Sequence, residues 1–421
     1  FIRTNIFLNE KKILMEDLLG LAAISVVSLI TFIVALRSPG IFNILIVALI
    51  IRVFILLFGH YIAPLPDSTS DAIGFEIKAW KMAESGFFNL SSQFGFSPFI
   101  FFSWIKAIPY SLFGRSVLMA QSMSLLFGIG TIFFGWRLAS ILWNDRIANK
   151  AGWAMALFPS LILYSVLFMR EVYICFFLTL ALYGVVTWIK TNSLKSIILS
   201  FVGFIGATLF HGAMFAGAIL FTIIIIIKYL KDFFKLLLNF KINLKNLILT
   251  FIFLIISGLY LTNKIDIYYL GTFSQINTKT FLKKTDYAYR GDASWPKWTK
   301  AKTGIELIYK APVRSLYFVL APFPWDVKKT KHLIGSLDAL CYMYLSFLIL
   351  CNIKVIWKDP ALRILLLLLL FYTFVFGFGV GNFGTGIRHR VKIVLLFILL
   401  AAPLLKKFTF KNSEKNKARI Q

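Results

Sequence analysis

Acid is scarce in this chain. Of 421 residues, 18 are Asp or Glu, against 45 Lys and Arg, and only 4 are His. Cysteine is scarcer still: Cys175, Cys341 and Cys351 stand apart in apolar runs, with no CxxC pair. That spacing excludes a disulfide framework or a cysteine-ligated metal and leaves three small core residues. There is no P-loop, no GxGxxG on a strand, no HExxH and no GxSxG. Nucleotide hydrolysis, zinc proteolysis and serine hydrolysis therefore lack a motif. Charged residues make up 15% of the chain and hydrophobic residues 59%, which is too little polar surface to cover an aqueous core.

What the chain has instead is apolar length. Runs of about 17–25 residues recur from end to end, each long enough to cross a hydrocarbon core of about 30 Å as a helix. The expected fold is an all-α polytopic integral membrane protein with about eleven transmembrane helices. The runs fall near 17–36, 40–62, 115–142, 150–168, 172–190, 195–211, 213–229, 245–262, 333–353, 361–380 and 388–405. They divide the chain into four regions: an N-terminal transmembrane part at 1–262 with a first polar loop at 63–114, a basic loop at 263–332, C-terminal helices at 333–407, and a basic tail at 408–421. No cleavable signal peptide is expected, because the first apolar run lacks a small-residue cleavage site.

The net charge of +27 in a soluble protein would suggest nucleic acid. Here no RNA or DNA motif accompanies the charge, and Lys and Arg punctuate apolar segments, where they meet anionic headgroups and set topology. The short basic segments "WNDRIANK", "IKTNSLK", "KYLKDFFKLLLNFKINLKN" and "NIKVIWKDPALR", with the tail, fall on one side by alternation, the cytoplasmic side. The opposite, outward side then gathers Asp67 and Asp71, the pair Arg170 and Glu171, His211, the loop 263–332 and the turn "GNFGTGIRHR". The loop carries thirteen Lys or Arg against five acids. Two readings stand for it: a loop too long to obey the positive-inside trend, or an electropositive lid over an anionic lipid phosphate.

Ser68 to Gly86 repeats Asp71, Phe75, Ala79, Met82 and Ala83 at three- and four-residue spacing, the pattern of an amphipathic surface helix. Asp67 or Ser70 suits its cap and Asp71 its first turn. A carboxylate held there also lies within reach of a lipid headgroup and an external acceptor, as a general base requires. Pro98 and Pro109 interrupt the next segment, which reads as a second surface helix. In "GVGNFGTGIRHRVK" glycines admit a close ligand, and Arg388 and Arg390 bracketing His389 suggest a fork for phosphate oxygens. Arg314, in a Pro-rich apolar piece, and Arg290, in the basic loop, are further candidates for anion binding. The Arg170–Glu171 pair reads either as an interfacial pair or as a site. His211 reads either as a packed polar residue or as a donor to a phosphate or sugar hydroxyl.

The order "DAIGF", "AWKMAESGFF", "SPFIFFSWIKAIPYSLFGRS" and "LFPSLILYSVLFMREVYICFF" resembles the GT-C fold of polytopic glycosyltransferases, such as the protein O-mannosyltransferases and the aminoarabinose transferases that act on lipid A. The resemblance covers roughly residues 65–188. It implies that Asp71 is the loop acid, acting on the acceptor as base or on a divalent metal ion, and that Glu171 is the Glu at the outer end of the later span. Phe75 stands where that family usually has Tyr, and Ala72 where many members have a second acid; Asp67 is the nearest replacement.

The expectation is a glycosyltransferase of a bacterial inner membrane that moves a sugar from a polyprenyl-phosphate-linked donor to a glycan, lipid or protein acceptor, with membrane lipids as its other partners. Asp71, helped by Asp67, would be catalytic; Arg388, Arg390, His389, Arg170 and Arg314 would hold the donor phosphate. Glu171, His211 and Arg290 complete the candidate site. Two rivals stand beside it. A polymerase or ligase of lipid-linked oligosaccharides would lean on Arg and His more than on Asp71. A flippase for such glycans would need no catalytic acid, and the chain lacks the internal repeat many transporters show.

Overall fold

Proline and short polar side chains set where many helices begin. Pro98, Pro159 and Pro360 each occupy a first helical turn, where the missing N–H has no intrahelical acceptor to lose. Ser116, Asn144, Thr303 and Asn382 accept from the backbone N–H three residues on, at 3.2, 3.0, 3.2 and 2.7 Å. The structure, a computed structural model, describes residues 2–238, 282, 288–289, 291–327 and 330–406. The span expected at 245–262, the candidate Arg290, the tail at 408–421 and much of the basic loop lie outside the described residues.

In chain order the helices are α1 (Ile2–Leu36), α2 (Phe42–Tyr61), α3 (Asp71–Ala83), α4 (Pro98–Phe113), α5 (Val117–Leu142), α6 (Asp145–Leu157), α7 (Pro159–Tyr164) and α8 (Glu171–Thr191). They continue with α9 (Leu194–Phe210), α10 (Phe215–Leu238), α11 (Gly304–Leu320), α12 (Thr330–Cys351), α13 (Ile353–Lys358), α14 (Pro360–Gly379), α15 (Phe383–Arg390) and α16 (Val394–Ala401). Among the described residues there is no strand, only a single backbone bridge between Ser294 and Asn382. Among the described residues six helices, α1, α2, α5, α8, α10 and α14, hold stretches long and apolar enough to cross a membrane, and α4, α9 and α12 hold shorter apolar ones. Among the described residues the fold is all-helical, with the long apolar helices of a membrane protein.

Two of the expected spans are not single helices. Residues 150–168 divide between α6 and α7, because Pro159 cannot donate to the preceding turn and biases Phe158 out of helical conformation. Residues 388–405 divide at a tight turn, Val391–Ile393, beyond which the chain forms α16, an eight-residue helix buried on every side. At about 12 Å that helix is far too short to span. Broken backbone at such depth persists where protein covers it, as α12, α14 and α6 cover α16.

The expected amphipathic surface helix forms as α3. It buries Ala72, Phe75, Ala79, Met82 and Ala83 against α4, with the Phe75 ring 4.9 Å from those of Phe99 and Phe102. Buried cations serve helix ends. Arg52 on α2 donates to the last carbonyls of α6, Ala156 O at 2.9 Å and Met155 O at 3.4 Å. These carbonyls have no partner within their own helix and carry the negative end of its dipole, so a guanidinium satisfies them twice over.

The tightest seam lies between α8 and α9, where glycine lets two backbones touch. A Cβ added at Gly203 would stand 2.6 Å from Ala181 Cα, and one at Gly184 2.6 Å from the backbone nitrogen of Ser200. We expect Gly203→Val to cost roughly 1–3 kcal/mol by forcing the helices apart, read as a lower thermal unfolding temperature in detergent. Gly74→Ala, where an added Cβ meets nothing within 4 Å, should leave that temperature unchanged or raise it. Equal unfolding of wild type and Gly203→Val would contradict the seam.

A charged candidate site at one end of the bundle

Ends of α3, α7, α8, α9 and α15 converge, and each brings an ionisable or hydroxyl side chain. Arg388 on α15 is the centre. Its Nε donates to Glu171 Oε1 at 2.8 Å, and its Nη1 donates to Asp71 Oδ2. Both carboxylates are first residues of their helices, α8 and α3, where the dipole favours negative charge. They differ in burial: the Glu171 side chain is 0% exposed and that of Asp71 61%. Glu171 Oε2 has no hydrogen-bond partner among the described residues. Arg388 therefore ties a buried anion to an open one.

Lys392 adds a buried amine, its Nζ 3.8 Å from Glu171 Oε1 and donating to His389 Nδ1 at 2.5 Å. The His389 ring stacks on Phe376 and meets the His211 ring edge-on, with centroids 4.9 Å apart. His211 Nδ1 is buried without a partner. Lys392, His389, Arg170 and Arg388 all lie close enough to act on the His211 imidazole.

Arg170 precedes Glu171 and lies over the Phe75 ring at 5.5 Å. Its side chain makes no hydrogen bond or ion pair among the described residues, and its Nε is buried. Asp67 accepts a 2.6 Å hydrogen bond from Tyr164 at the end of α7. Asp67 and Ser70 both have left-handed backbone, φ 60° and 51°, which holds the loop ahead of Asp71 in a conformation few residues adopt. Ser70 precedes α3 without a side-chain capping bond, so neither expected cap forms. Beside the first turn of α3 lies a cavity of about 150 Å³ lined by Ser68, Ala72, Glu76, Gln121 and Phe168. Glu76 is itself held by a two-pronged pair with Arg115, both contacts 2.8 Å.

Of the residues the sequence nominated, Asp71, Glu171, Arg388, His389, His211 and Arg170 thus gather in one cluster, with Asp67 beside it. Two others do not. The expected fork of Arg388 and Arg390 does not form, because residues two apart on a helix point to opposite sides. Arg390 turns to Asp338 at 3.1 Å and to the carbonyls of Val319 and Ala321 at 2.8 and 2.6 Å, closing the end of α11. Arg314 is likewise a cap. Its donors reach Gly377, Phe378 and Val380 carbonyls at the end of α14, with Thr299 O and Tyr289 Oη, so it has no donor left for a phosphate. Lys392 and Tyr164 were not nominated; the i,i+4 spacing of Lys392 from Arg388 was the available signal. Among the described residues no three His, Cys, Asp or Glu side chains are gathered as metal ligands. Asp71 and Glu171 both face Arg388, a donor set that does not fit a divalent ion.

No family model, no curated protein and no solved structure matches the chain.

Removing one partner of a buried pair leaves the other charge uncompensated, typically at 3–5 kcal/mol. Arg388→Met should therefore destabilise the protein by roughly that amount, and adding Glu171→Leu should recover much of the loss. Asp71→Asn, on the open side, should change stability by about 1 kcal/mol or less. Thermal unfolding of the three variants in one detergent decides it; a stable Arg388→Met single variant would contradict the arrangement.

Proposed function

We propose that this protein is a membrane glycosyltransferase that moves a sugar from a polyprenyl-phosphate-linked donor to a glycan, lipid or protein acceptor. The observation that carries the reading is Arg388 held between buried Glu171 and open Asp71, with the uncommitted guanidinium of Arg170 alongside. A phosphate arriving at Arg170 and Arg388 competes with Asp71 for Arg388, because both are oxygen anions matched to the same planar donor. Glu171, which is buried, keeps Arg388 in place during the exchange. The donor thereby releases the base that the reaction needs.

Freed Asp71 takes the proton from an acceptor hydroxyl or amine. The acceptor atom attacks the anomeric carbon, and the bond from that carbon to the phosphate oxygen breaks. The polyprenyl phosphate leaves with the electron pair, its new charge met by Arg170 and Arg388. Inversion at the anomeric carbon and placement of the site on the extracytoplasmic face of a bacterial inner membrane rest on the GT-C resemblance and on the charge distribution of the sequence.

A specific observation favours a second reading, transfer of a whole lipid-linked oligosaccharide by a polymerase or ligase: His211 and His389 meet beside Arg388. One experiment separates the two. Purified protein is given labelled polyprenyl-linked donors and a membrane or cell-wall acceptor fraction, and wild type is compared with Asp71→Asn and with His389→Gln. Under the first reading Asp71→Asn loses turnover by about 10²-fold or more while still binding donor. Normal turnover by Asp71→Asn, with failure of His389→Gln, would replace the first reading by the second.

A further inference from the structure

Tyr289 and residues of the segment 291–310 line an open cleft of about 820 Å³ that shares no lining residue with the Arg388 cluster. Trp295, Trp298, Tyr289, Lys297, Lys302 and Lys310 are among its walls. Its volume is that of a small-molecule site rather than of a surface dimple. Among its described lining residues Glu306 is the one acid, and it accepts from Lys310 Nζ at 2.8 Å and from the Lys302 backbone N–H at 3.1 Å. Its described lining therefore combines aromatic rings with more lysines than acids.

The rings differ in what they offer. Trp298 is 59% exposed, while Trp295 is 3% exposed and leaves its indole N–H without a partner. Against Tyr317 both meet tilted or edge-on, at 48° and 81°. Trp298 is thus the ring with an open face, and such a face suits the C–H face of a sugar ring. Lysines around them suit a carboxylate or phosphate on that sugar.

The cleft is also built, not draped. Arg314 holds Tyr289 by a 2.8 Å bond and lies 5.6 Å from the centroids of both Tyr289 and Trp295. Trp295 N donates to Gly381 O, and Phe383 N to Ala293 O, each at 2.9 Å. Those bonds fix the cleft to the segment that opens α15, the helix carrying Arg388.

We infer that this cleft binds an acidic saccharide, with a sugar ring against Trp298 and its anionic group at Lys297 and Lys302. The inference stands apart from the transferase reading, since binding is measured without turnover. The test is titration of the whole chain in detergent, measured by calorimetry, with a hyaluronan tetrasaccharide as probe. Maltotetraose, inorganic phosphate, ATP and phosphatidylglycerol micelles are the comparisons. We expect saturable binding of the acidic tetrasaccharide, at least about tenfold weaker for maltotetraose and for Trp298→Ala, and weakened by salt and by Lys297→Ala/Lys302→Ala. Trp298 is exposed, so its replacement leaves the fold intact. Wild-type affinity in Trp298→Ala, or phosphate, ATP or the lipid binding as tightly as the tetrasaccharide, would overturn the inference.

Discussion

Everything at the charged end of the bundle depends on one buried carboxylate. Glu171 is taken wholly out of solvent, which is tolerable only beside a cation with good hydrogen-bond geometry. Arg388 supplies it from 217 residues away, and then reaches Asp71 across 317 residues. To deliver that guanidinium, the chain breaks its last apolar run, turns at Val391–Ile393 and buries the short α16 in the core. The same turn brings in Lys392.

Basic residues in this protein do two different jobs. Arg52, Arg314 and Arg390 end helices α6, α14 and α11 by binding carbonyls that those helices cannot satisfy themselves. In a bilayer, where water cannot substitute, such caps hold broken and angled helices together. Arg388 and Arg170 differ: one is shared between carboxylates and the other is bound to none. Contacts to backbone carbonyls at a helix end mark a structural arginine, and a guanidinium that serves no helix end, at the charged end of the bundle, marks one with capacity for a ligand.

Much of this was legible in the sequence, and the remainder was not for identifiable reasons. Apolar length and proline placement gave the helical membrane class, the amphipathic α3 and most helix starts. Charge placement gathered Asp71, Glu171, His211 and Arg388 on one side before any contact was known. Sequence spacing misplaced Arg390, because a pair two residues apart was read as a fork although a helix turns it through some 200°. It also missed Tyr164 as the partner of Asp67, since residues 97 apart meet only through packing. The buried caps were invisible because an arginine that binds backbone carbonyls and one that binds phosphate have the same sequence signature.

The central claim is that donor phosphate takes Arg388 from Asp71 while Glu171 retains it. The most direct measurement is a cryo-electron microscopy map of the protein with a polyprenyl-phosphate sugar bound. The account predicts phosphate oxygens within hydrogen-bond distance of Arg388 and Arg170, the Arg388–Glu171 bond intact and Asp71 separated from Arg388. A donor phosphate seated elsewhere, with the Asp71–Arg388 pair unbroken, would contradict it.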